Sequence, residues 1–391
     1  MDNLNLQRNK HQRPLSRQAD KQPGIGRKAL LALYTGVVLA AAPAVPMVVS
    51  PAHAQAQEVA ADRLNVVSTG MTIDGVRTDL PAANDAGTTY IGLRSLNERL
   101  GLKTDWDETK RTVTVSGRDR TLVLEADTGV YTADGQTYYG SGAILQDGSV
   151  YVPLRFMLER IGYGISYDPA TRIIGIDSIK ENALTIQTVA ISEQADHQTL
   201  DVRYPQLSGY ADKNVQDSIN AFLKQEAEAS AKAAREELAE AAAAFKEAAA
   251  GDKQSDRPMP TVSFDSRYTV TYNEKGLLSL YVDAYSYLGG AHGGTIRTPY
   301  TFDLQTGKQL SLSEAAGGSA NYVAVINEAV KANIRDTDLP LLVPFETIEP
   351  DRAFFLKHSG IVIYFEQYEY TPYAAGMPEF EVPFSAFAKK S

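Results

Sequence analysis

Large apolar residues recur at helical spacing in two short segments of the first half of the chain. They are Leu93, Leu96 and Leu100 in one segment and Leu154, Met157 and Ile161 in the other. Gly101 and Gly162 follow these segments, and glycine commonly ends a helix because it accepts the left-handed backbone conformation. Residues 112–115 and 173–176 are rich in β-branched residues and predict strands. We therefore predict a unit of two strands, a helix and two strands, present twice.

The two segments are copies of one another. Residues 90–102 read Tyr-Ile-Gly-Leu-Arg-Ser-Leu-Asn-Glu-Arg-Leu-Gly-Leu, and residues 151–163 read Tyr-Val-Pro-Leu-Arg-Phe-Met-Leu-Glu-Arg-Ile-Gly-Tyr, an offset of 61. An Asp-Gly turn precedes each copy and an aromatic-Asp pair follows it, at residues 74–75, 134–135, 106–107 and 167–168. Because the matches fall at corresponding structural positions, they indicate an internal duplication.

Each predicted helix carries an arginine and a glutamate four residues apart. The pairs are Arg94 with Glu98 and Arg155 with Glu159. They would serve either as a ligand clamp or as ion pairs across one helical turn, and we interpret them as ion pairs.

The second half of the chain has a different pattern. Strands are predicted at residues 184–191, 198–204, 261–273, 277–287 and near 300–304, with a hairpin formed by 353–358 and 361–368. One long helix is predicted at 212–250 because 14 of the 30 residues 221–250 are Ala, and another at 319–334. Large apolar residues become sparse beyond Gln225, so we expect the far end of the long helix to project. Strands and helices mix without βαβ regularity, which is typical of an α+β fold.

The N-terminal segment has the order of an export signal. Residues 1–28 are polar and basic, an apolar stretch covers 29–49, and Ala-His-Ala at 52–54 resembles a cleavage site. We predict a signal peptide at 1–54, with cleavage before Gln55 and no stable membrane insertion afterwards. The alternative is a retained membrane anchor, since the stretch is close to the roughly 20 residues that span a bilayer. Pro43 and Pro46 interrupt that stretch.

Composition excludes several classes of protein. The 391 residues include no cysteine, which excludes disulfides, thiolate metal sites, Cys nucleophiles and a lipoprotein anchor. The net charge of −10 becomes −15 after residues 1–54 are removed, with 31 basic and 46 acidic residues remaining. An acidic chain is poorly suited to nucleic acid, so we predict no nucleic-acid partner. An exported protein without cysteine fits a Gram-positive type of envelope.

The duplicated segment resembles the copper amine oxidase N-terminal-like domain, a stalk module of secreted proteins. The resemblance rests on the Tyr-Val-Pro-Leu-Arg helix entry, the glycine stop and the aromatic-Asp pair before a β-hairpin, and it covers about residues 62–180. It implies an extracellular adaptor resting on cell-wall polymer. This stretch contains no histidine, so a copper site would lack imidazole ligands, and no cofactor is predicted. We assign residues 55–181 to this domain.

A second resemblance involves three motifs at residues 285–293, 301–312 and 370–379. They are Tyr-Ser-Tyr-Leu-Gly-Gly-Ala-His-Gly, Thr-Phe-Asp-Leu-Gln-Thr-Gly-Lys-Gln-Leu-Ser-Leu and Tyr-Thr-Pro-Tyr-Ala-Ala-Gly-Met-Pro-Glu. They look like the extracytoplasmic domain shared by RsiV-type anti-sigma factors and PdaC-type peptidoglycan deacetylases. RsiV-type members sense lysozyme by binding it, which implies a fold suited to gripping a wall hydrolase or a glycan. We assign residues 182–391 to this domain.

The chain also departs from both kinds of relative. Leu304 stands where the deacetylase Thr-Phe-Asp-Asp motif has its second Asp, and no His-x-x-x-His follows. The 28 residues before Ala29 are short for a sigma-binding domain. We therefore predict no enzyme activity, no catalytic residue and no metal ligand.

Two groups of residues are the candidate binding site. They are Tyr285, Tyr287, Gly289, Gly290 and His292 in the glycine-rich motif, and Tyr370, Pro372 and Tyr373 near the end of the chain. Small neighbours let another group approach His292 closely, and tyrosine gives wide amphipathic contacts at low entropic cost. The alternative for His292 is a residue that caps backbone groups in a glycine turn. Of the tyrosines near the end, we expect Tyr370 and Tyr373 to be the more exposed.

The complete prediction is a duplicated, β-rich stalk module with two short helices, followed by an α+β domain. That domain has a mixed or antiparallel sheet and one long Ala-rich helix. The predicted function is that of a secreted, cell-wall-associated, non-catalytic protein that binds peptidoglycan or a lysozyme-like wall hydrolase. Two alternatives are an enzyme or accessory subunit acting on wall glycan, and a membrane-anchored sensor of envelope stress.

Overall fold

The computed structural model describes residues 63–85, 87–133, 135–168, 170–251 and 259–388. The predicted signal peptide lies outside them. The described residues form an α+β fold, as predicted, with these α-helices: α1 Leu93–Leu100, α2 Leu154–Ile161, α3 Lys213–Gly251, α4 Leu312–Ala315 and α5 Tyr322–Thr337. None of the helices in this part of the chain is both long and apolar enough to cross a membrane.

Twelve strands of the first half form two sheets. The strands are β1 Val67–Ile73, β2 Val76–Asp85, β3 Thr88–Gly92, β4 Lys103–Asp107, β5 Thr112–Gly117, β6 Arg120–Glu125, β7 Val130–Ala133, β8 Gln136–Tyr139, β9 Ile144–Gln146, β10 Ser149–Pro153, β11 Tyr163–Asp168 and β12 Ile173–Ser178. One sheet has the order β11-β12-β1-β2-β3-β10-β9, and the other has β4-β5-β6-β7-β8. The strands that follow α1, β4 and β5, therefore join the sheet that contains β7 and β8 of the second copy. The strands that follow α2, β11 and β12, join the sheet that contains β1, β2 and β3 of the first copy. The duplicated units are interleaved.

The two repeated helices agree with the prediction. Gly101 and Gly162 adopt left-handed backbone conformations, with φ of 66° and 95°, directly after α1 and α2. The predicted apolar positions pack into one core between the two sheets. Of the two predicted ion pairs, Arg155 Nη1 lies 2.9 Å from Glu159 Oε1. In α1, all of which is described, Arg94 and Glu98 are exposed and form no ion pair.

The second half contains a mixed five-stranded sheet in chain order. Its strands are β13 Thr185–Ala195, β14 Gln198–Ser208, β15 Val262–Glu274, β16 Leu277–Tyr287 and β17 Gly294–Asp303. The β14 and β15 strands are parallel, and the other neighbours are antiparallel. The two-residue turn between β15 and β16 consists of Lys275 and Gly276, with φ of 54° and 77°. Such a turn matches the twist of a hairpin.

The expectation that the long helix projects from the body is wrong. Along the far part of α3, a row of small residues is buried against the sheet: Ala227, Ala231, Ala234, Leu238 and Ala242. These positions are three or four apart and form one helix face. Alanine side chains are short, so they let the helix axis approach the strands where larger residues are absent. Phe245, near the C-terminus of α3, also packs against this core.

A three-stranded sheet lies against α5 and contacts the five-stranded sheet. Its strands are β18 Phe354–Lys357, β19 Gly360–Tyr364 and β20 Glu379–Pro383. The β19 strand ends at Tyr364, four residues before the predicted end at 368. The segment 365–378, here named the tyrosine loop, then leaves the sheet. Its return is set by a hydrogen bond of 3.0 Å from Phe365 N to Pro378 O.

The two halves of the chain belong to separate sheets but touch directly. The β14–β15 pairing ends at Ser266, and the buried Gln136 side chain of β8 lies where β15 continues without β14 on that edge. Its Oε1 accepts a hydrogen bond of 3.1 Å from Tyr268 N. Farther along, the His358 ring covers Gly164, where a side chain would overlap it. The predicted division between residues 181 and 182 falls between β12 and β13 and stays a prediction.

Candidate binding site

Three aromatic rings from two distant segments stack at one end of the five-stranded sheet. His292 follows β16, and its ring centroid lies 4.0 Å from that of Tyr373 with an interplanar angle of 23°. Tyr368 lies beside them, with its ring centroid 5.6 Å from Tyr373 and 6.4 Å from His292. We name these three residues the aromatic platform. The structure thus brings two of the predicted residues, His292 and Tyr373, into direct contact.

The glycine-rich turn is shaped by close packing around two glycines. A Cβ atom at Gly293 would overlap the Ser286 carbonyl oxygen and the Tyr285 ring, and Gly293 N donates a hydrogen bond of 3.2 Å to the Tyr285 hydroxyl. Gly289 has φ of 88° and lies against the Phe245 ring of α3. No other residue type fits either position without rearrangement. The long helix and the sheet together set the path of the turn.

Two other predicted residues belong to this turn. Tyr287 donates a hydrogen bond of 3.1 Å from its hydroxyl to the carbonyl oxygen of Gly290. A Cβ atom at Gly290 would meet only the His292 carbonyl oxygen, at 3.7 Å. Tyr287 therefore holds the turn closed, whereas Gly290 leaves open space beside the platform.

Both ring nitrogens of His292 have hydrogen-bond partners. Its Nδ1 lies 2.9 Å from the Gly293 carbonyl oxygen, so this nitrogen carries a proton. Its Nε2 lies 3.3 Å from the Tyr368 hydroxyl. Tyr373 also donates to the Gly293 carbonyl, at 3.1 Å. His292 thus caps a backbone carbonyl in the glycine turn and at the same time offers its ring for stacking.

Tyr368 is the platform residue that sequence reasoning missed. Its φ is 65°, an uncommon conformation for a bulky residue, and its side chain is 46% exposed. Backbone strain of this kind tends to concentrate at functional sites. The predicted strand through residue 368 concealed this position, because a strand residue has negative φ. The sequence signal is its place among several tyrosines, and that signal does not single it out.

The expectation that Tyr370 and Tyr373 are the more exposed tyrosines is wrong, because both are half-buried whereas Tyr368 is exposed. The Tyr370 ring lies 4.5 Å from that of Phe365 and 5.5 Å from that of Phe345, measured between centroids, and packs against the core beside α5. Tyr370 therefore lies apart from the aromatic platform, on the core side of the tyrosine loop. Pro372 is half-buried and precedes a short 3₁₀ helix at Tyr373–Ala375. The structure therefore separates Tyr370 from His292 and Tyr373.

Polar contacts attach the tyrosine loop to its surroundings. Gln367 Oε1 accepts a hydrogen bond of 2.8 Å from Thr295 N, at the open edge of β17. Arg352 makes a bidentate contact with Glu369, with distances of 2.5 and 2.6 Å. Burial raises the pKa of Glu366 to about 7, although the Arg297 backbone N–H and the Tyr364 hydroxyl oppose this shift. The charge of the loop therefore changes near neutral pH.

A buried ion network joins β17 to the three-stranded sheet. The Arg297 side chain is 8% exposed; its Nε and Nη2 lie 2.7 and 2.8 Å from the Asp283 carboxylate, and its Nη1 lies 2.7 Å from Glu379 Oε1. Its guanidinium carbon is 3.8 Å from the Tyr281 ring centroid. Burial alone would lower the pKa of Arg297, but these carboxylates raise it. This network forms a rigid base two residues from Thr295.

The remaining described histidines take part in other contacts. His358 Nδ1 lies 2.7 Å from Glu274 Oε1, and this hydrogen bond raises the pKa of His358. His197 lies beside Asp196, with 3.7 Å between Nε2 and Oδ1. Among the described residues, no three His, Asp or Glu side chains gather as a metal-binding group.

Three family models match separate segments of the chain. The copper amine oxidase N-terminal domain matches residues 72–176, the deacetylase PdaC model matches 191–295, and the protein of unknown function DUF3298 matches 315–385. These matches confirm both resemblances. His292 lies in the second matched segment, and Tyr368 and Tyr373 lie in the third. The platform is therefore assembled from two segments that match different models.

The chain is also similar to an anti-sigma factor. The anti-sigma-V factor RsiV of Bacillus subtilis strain 168 is 24% identical over 234 residues, which cover 56% of this chain and 74% of RsiV. A DUF3298 protein from Bacteroides fragilis is 20% identical, covers 52% of this chain and 92% of its own, and has a TM-score of 0.40. One from Pseudomonas aeruginosa is 19% identical, covers 53% and 93%, and has a TM-score of 0.33. The sequence relationships indicate an extracytoplasmic, envelope-related protein.

Proposed function

We propose that this is a secreted, non-catalytic envelope protein that uses the aromatic platform to bind a lysozyme-like wall hydrolase. The observation that carries the proposal is the stack of His292, Tyr368 and Tyr373, in which His292 and Tyr368 are exposed and Tyr373 is half-buried. Large rings held by hydrogen bonds offer wide contact area at little further entropic cost. The strained backbone of Tyr368 points the same way, because the fold retains a costly conformation that keeps this ring at the surface.

Charge supports a basic protein as the partner. Residues 182–391 contain 18 basic and 28 acidic residues, a net charge of −10. Many lysozymes are cationic, and opposite net charges speed the encounter of two proteins. Peptidoglycan is the second partner considered, since aromatic rings also stack on sugars. The excess negative charge gives no comparable advantage toward a glycan.

The experiment measures the affinity of the purified protein for lysozyme by isothermal titration calorimetry. We expect a Kd of about 1 µM or tighter, and a rise of about tenfold for Tyr368→Ala and for Tyr373→Ala, as for central aromatic residues of interfaces. Tyr139→Ala and Tyr167→Ala are matched controls, because these tyrosines are exposed elsewhere on the molecule. Both controls should leave the Kd unchanged.

Two parallel assays separate the alternatives. Sedimentation with insoluble peptidoglycan tests a glycan partner, and analysis of released wall fragments tests an enzyme. If lysozyme does not bind at micromolar concentration, or if all four variants bind equally, the proposed function is wrong. Turnover of wall glycan that is lost in His292→Ala would instead favour an enzyme.

Mass spectrometry of the exported protein tests the predicted signal peptide. The expected mature protein starts at Gln55.

A further inference from the structure

A long irregular loop joins α5 to β18 and exposes large apolar side chains. Residues 338–353, here named the acidic loop, contain no helix or strand. Leu342 is 54% exposed and Val343 is 49% exposed, and Pro340 and Pro344 beside them are exposed too. Structureless connections of this length are uncommon in compact domains and are usually functional.

The acidic loop is held in place at several points. Leu342 N donates a hydrogen bond of 2.7 Å to Tyr370 O, and Ile348 N donates one of 2.9 Å to Asn327 Oδ1. The Tyr322 hydroxyl donates to Pro350 O at 2.8 Å. Phe345 and Ile348 are buried in the core beneath. Leu342 and Val343 are therefore presented to solvent by an anchored backbone.

Acidic residues predominate around this apex, although Arg335 precedes the acidic segment and Arg352 pairs with Glu349 at 3.4 Å. The acidic residues are Asp336, Asp338, Glu346, Glu349 and Asp351, and every one of them is exposed. Residues 336–351 contain no Lys or Arg. An apolar apex surrounded by carboxylates favours a partner with an apolar patch among basic residues, and it repels an anionic polymer.

The acidic loop is attached to the tyrosine loop, which also carries Tyr368 and Tyr373 of the aromatic platform. Leu342 N donates a hydrogen bond to the carbonyl oxygen of Tyr370, two residues from Tyr368 in the chain. Nine large apolar residues are exposed among the described residues, and three of them lie in the acidic loop and the tyrosine loop: Leu342, Val343 and Tyr368. Contiguous exposed apolar residues with a polar rim mark interaction surfaces.

We propose that the acidic loop is a second contact element for the partner of the aromatic platform, and that Leu342 and Val343 enter an apolar patch on a basic protein. This inference rests on the proposed function and specifies the chemistry of the partner. The acidic residues accelerate association with that protein, whereas Leu342 and Val343 slow its dissociation. Charge at the rim of an interface acts mainly on the association rate, and buried apolar anchors act on the dissociation rate.

The test measures both rate constants for immobilised lysozyme by surface plasmon resonance, using the full protein at two salt concentrations. The double variant Leu342→Ser/Val343→Ser should dissociate about tenfold faster, as expected for interface anchors. The triple variant Glu346→Gln/Glu349→Gln/Asp351→Asn should associate more slowly at low salt and show a weaker dependence on salt. Val67→Ser/Val76→Ser and Glu98→Gln/Asp105→Asn/Glu108→Gln are matched controls, because these residues are exposed in the first half and the changes remove the same number of apolar side chains and negative charges.

The outcomes separate this inference from the proposed function. If the platform variants lose binding while both acidic-loop variants match the original protein, the acidic loop is not a contact and the proposed function stands. If the original protein does not bind lysozyme, both proposals are wrong. Binding to peptidoglycan that is insensitive to the acidic-loop variants, without binding to lysozyme, overturns the basic-protein partner. All variants replace surface residues, so circular dichroism should report unchanged folding.

Discussion

Replacement of Arg297 by methionine should cost about 3 kcal/mol of unfolding free energy, at the lower end of the range for breaking a buried ion pair. The guanidinium is almost fully buried and bonds two carboxylates, those of Asp283 and Glu379. Methionine conserves much of the volume and the contact with the Tyr281 ring but provides no donor. Asp283 would then lose its bidentate partner, whereas Glu379 would keep Lys357 at 2.9 Å.

The partial exposure of Asp283 sets the size of this loss of unfolding free energy. A half-buried carboxylate that loses its partner retains some hydration, so the cost should lie below that of a fully enclosed charge. Removal of the orphaned charge should therefore recover part of the loss. We expect the double variant Arg297→Met/Asp283→Asn to be more stable than Arg297→Met alone, by about 1 kcal/mol or more.

The measurement is urea-induced unfolding followed by far-ultraviolet circular dichroism at neutral pH. Arg235→Met is the matched control, because Arg235 also makes a bidentate contact, with Glu193, but its side chain is 44% exposed. An exposed pair is typically worth at most about 1 kcal/mol. If Arg297→Met costs no more than Arg235→Met, or if Asp283→Asn recovers nothing, the assigned role of this network is incorrect.

Three further predictions concern the aromatic platform, the contact of His358 with Glu274 and the hydrogen bond between Gln136 and Tyr268. Tyr368→Gly should be more stable than Tyr368→Ala by about 1 kcal/mol in thermal unfolding, because alanine is strained in the left-handed backbone conformation and glycine is not. Equal stabilities of the two variants would contradict backbone strain at residue 368. The contribution of the His358–Glu274 contact should be complete between about pH 4.5 and 6.5. It should fall as pH rises through the raised pKa of His358, and also as pH drops through the lowered pKa of Glu274. A His358→Gln variant should lose the dependence above pH 6.5, and an unchanged profile there would contradict this contribution. Gln136→Ala should reduce hydrogen-exchange protection of the Tyr268 amide, whereas Gln146→Ala, which removes a part-buried bond to Leu64 O, should not. Equal protection of this amide in both variants would contradict the role of Gln136 as its hydrogen-bond acceptor.

Local elements were predictable where short-range chemistry decides them. The hairpin of β15 and β16 was predicted to within one residue, because alternating apolar strands flank a Lys275-Gly276 turn that only a left-handed backbone can make. The repeated helices were predicted from apolar spacing and a terminal glycine. Alanine-rich composition likewise predicted α3, since helix propensity acts within a few residues of the chain.

Packing partners were not predictable from such patterns. The alanine face of α3 gave no sign of burial, because small residues mark either an exposed helix or one packed closely on a sheet. Likewise, nothing around Gln136 indicates that its amide completes hydrogen bonding of a strand in the other half of the chain. The early end of β19 likewise depends on a distant residue. Arg352 forms an ion pair with Glu369, in the segment that leaves the sheet after β19.

The sequence by itself determined the α+β class, the internal duplication, the acidic charge and two of the three platform residues. The tertiary structure decided how the duplicated units interleave, where α3 lies and which tyrosines face solvent. His292 and Tyr368 are 76 residues apart, and no local preference connects them. Two contacts of the tyrosine loop bring them together. Thr295 N, at the open edge of β17, donates a hydrogen bond to Gln367 Oε1, and Tyr370 packs against the core, which leaves Tyr368 on the surface. Sequence patterns report local propensity and burial periodicity, whereas a binding surface depends on which distant segments pack together.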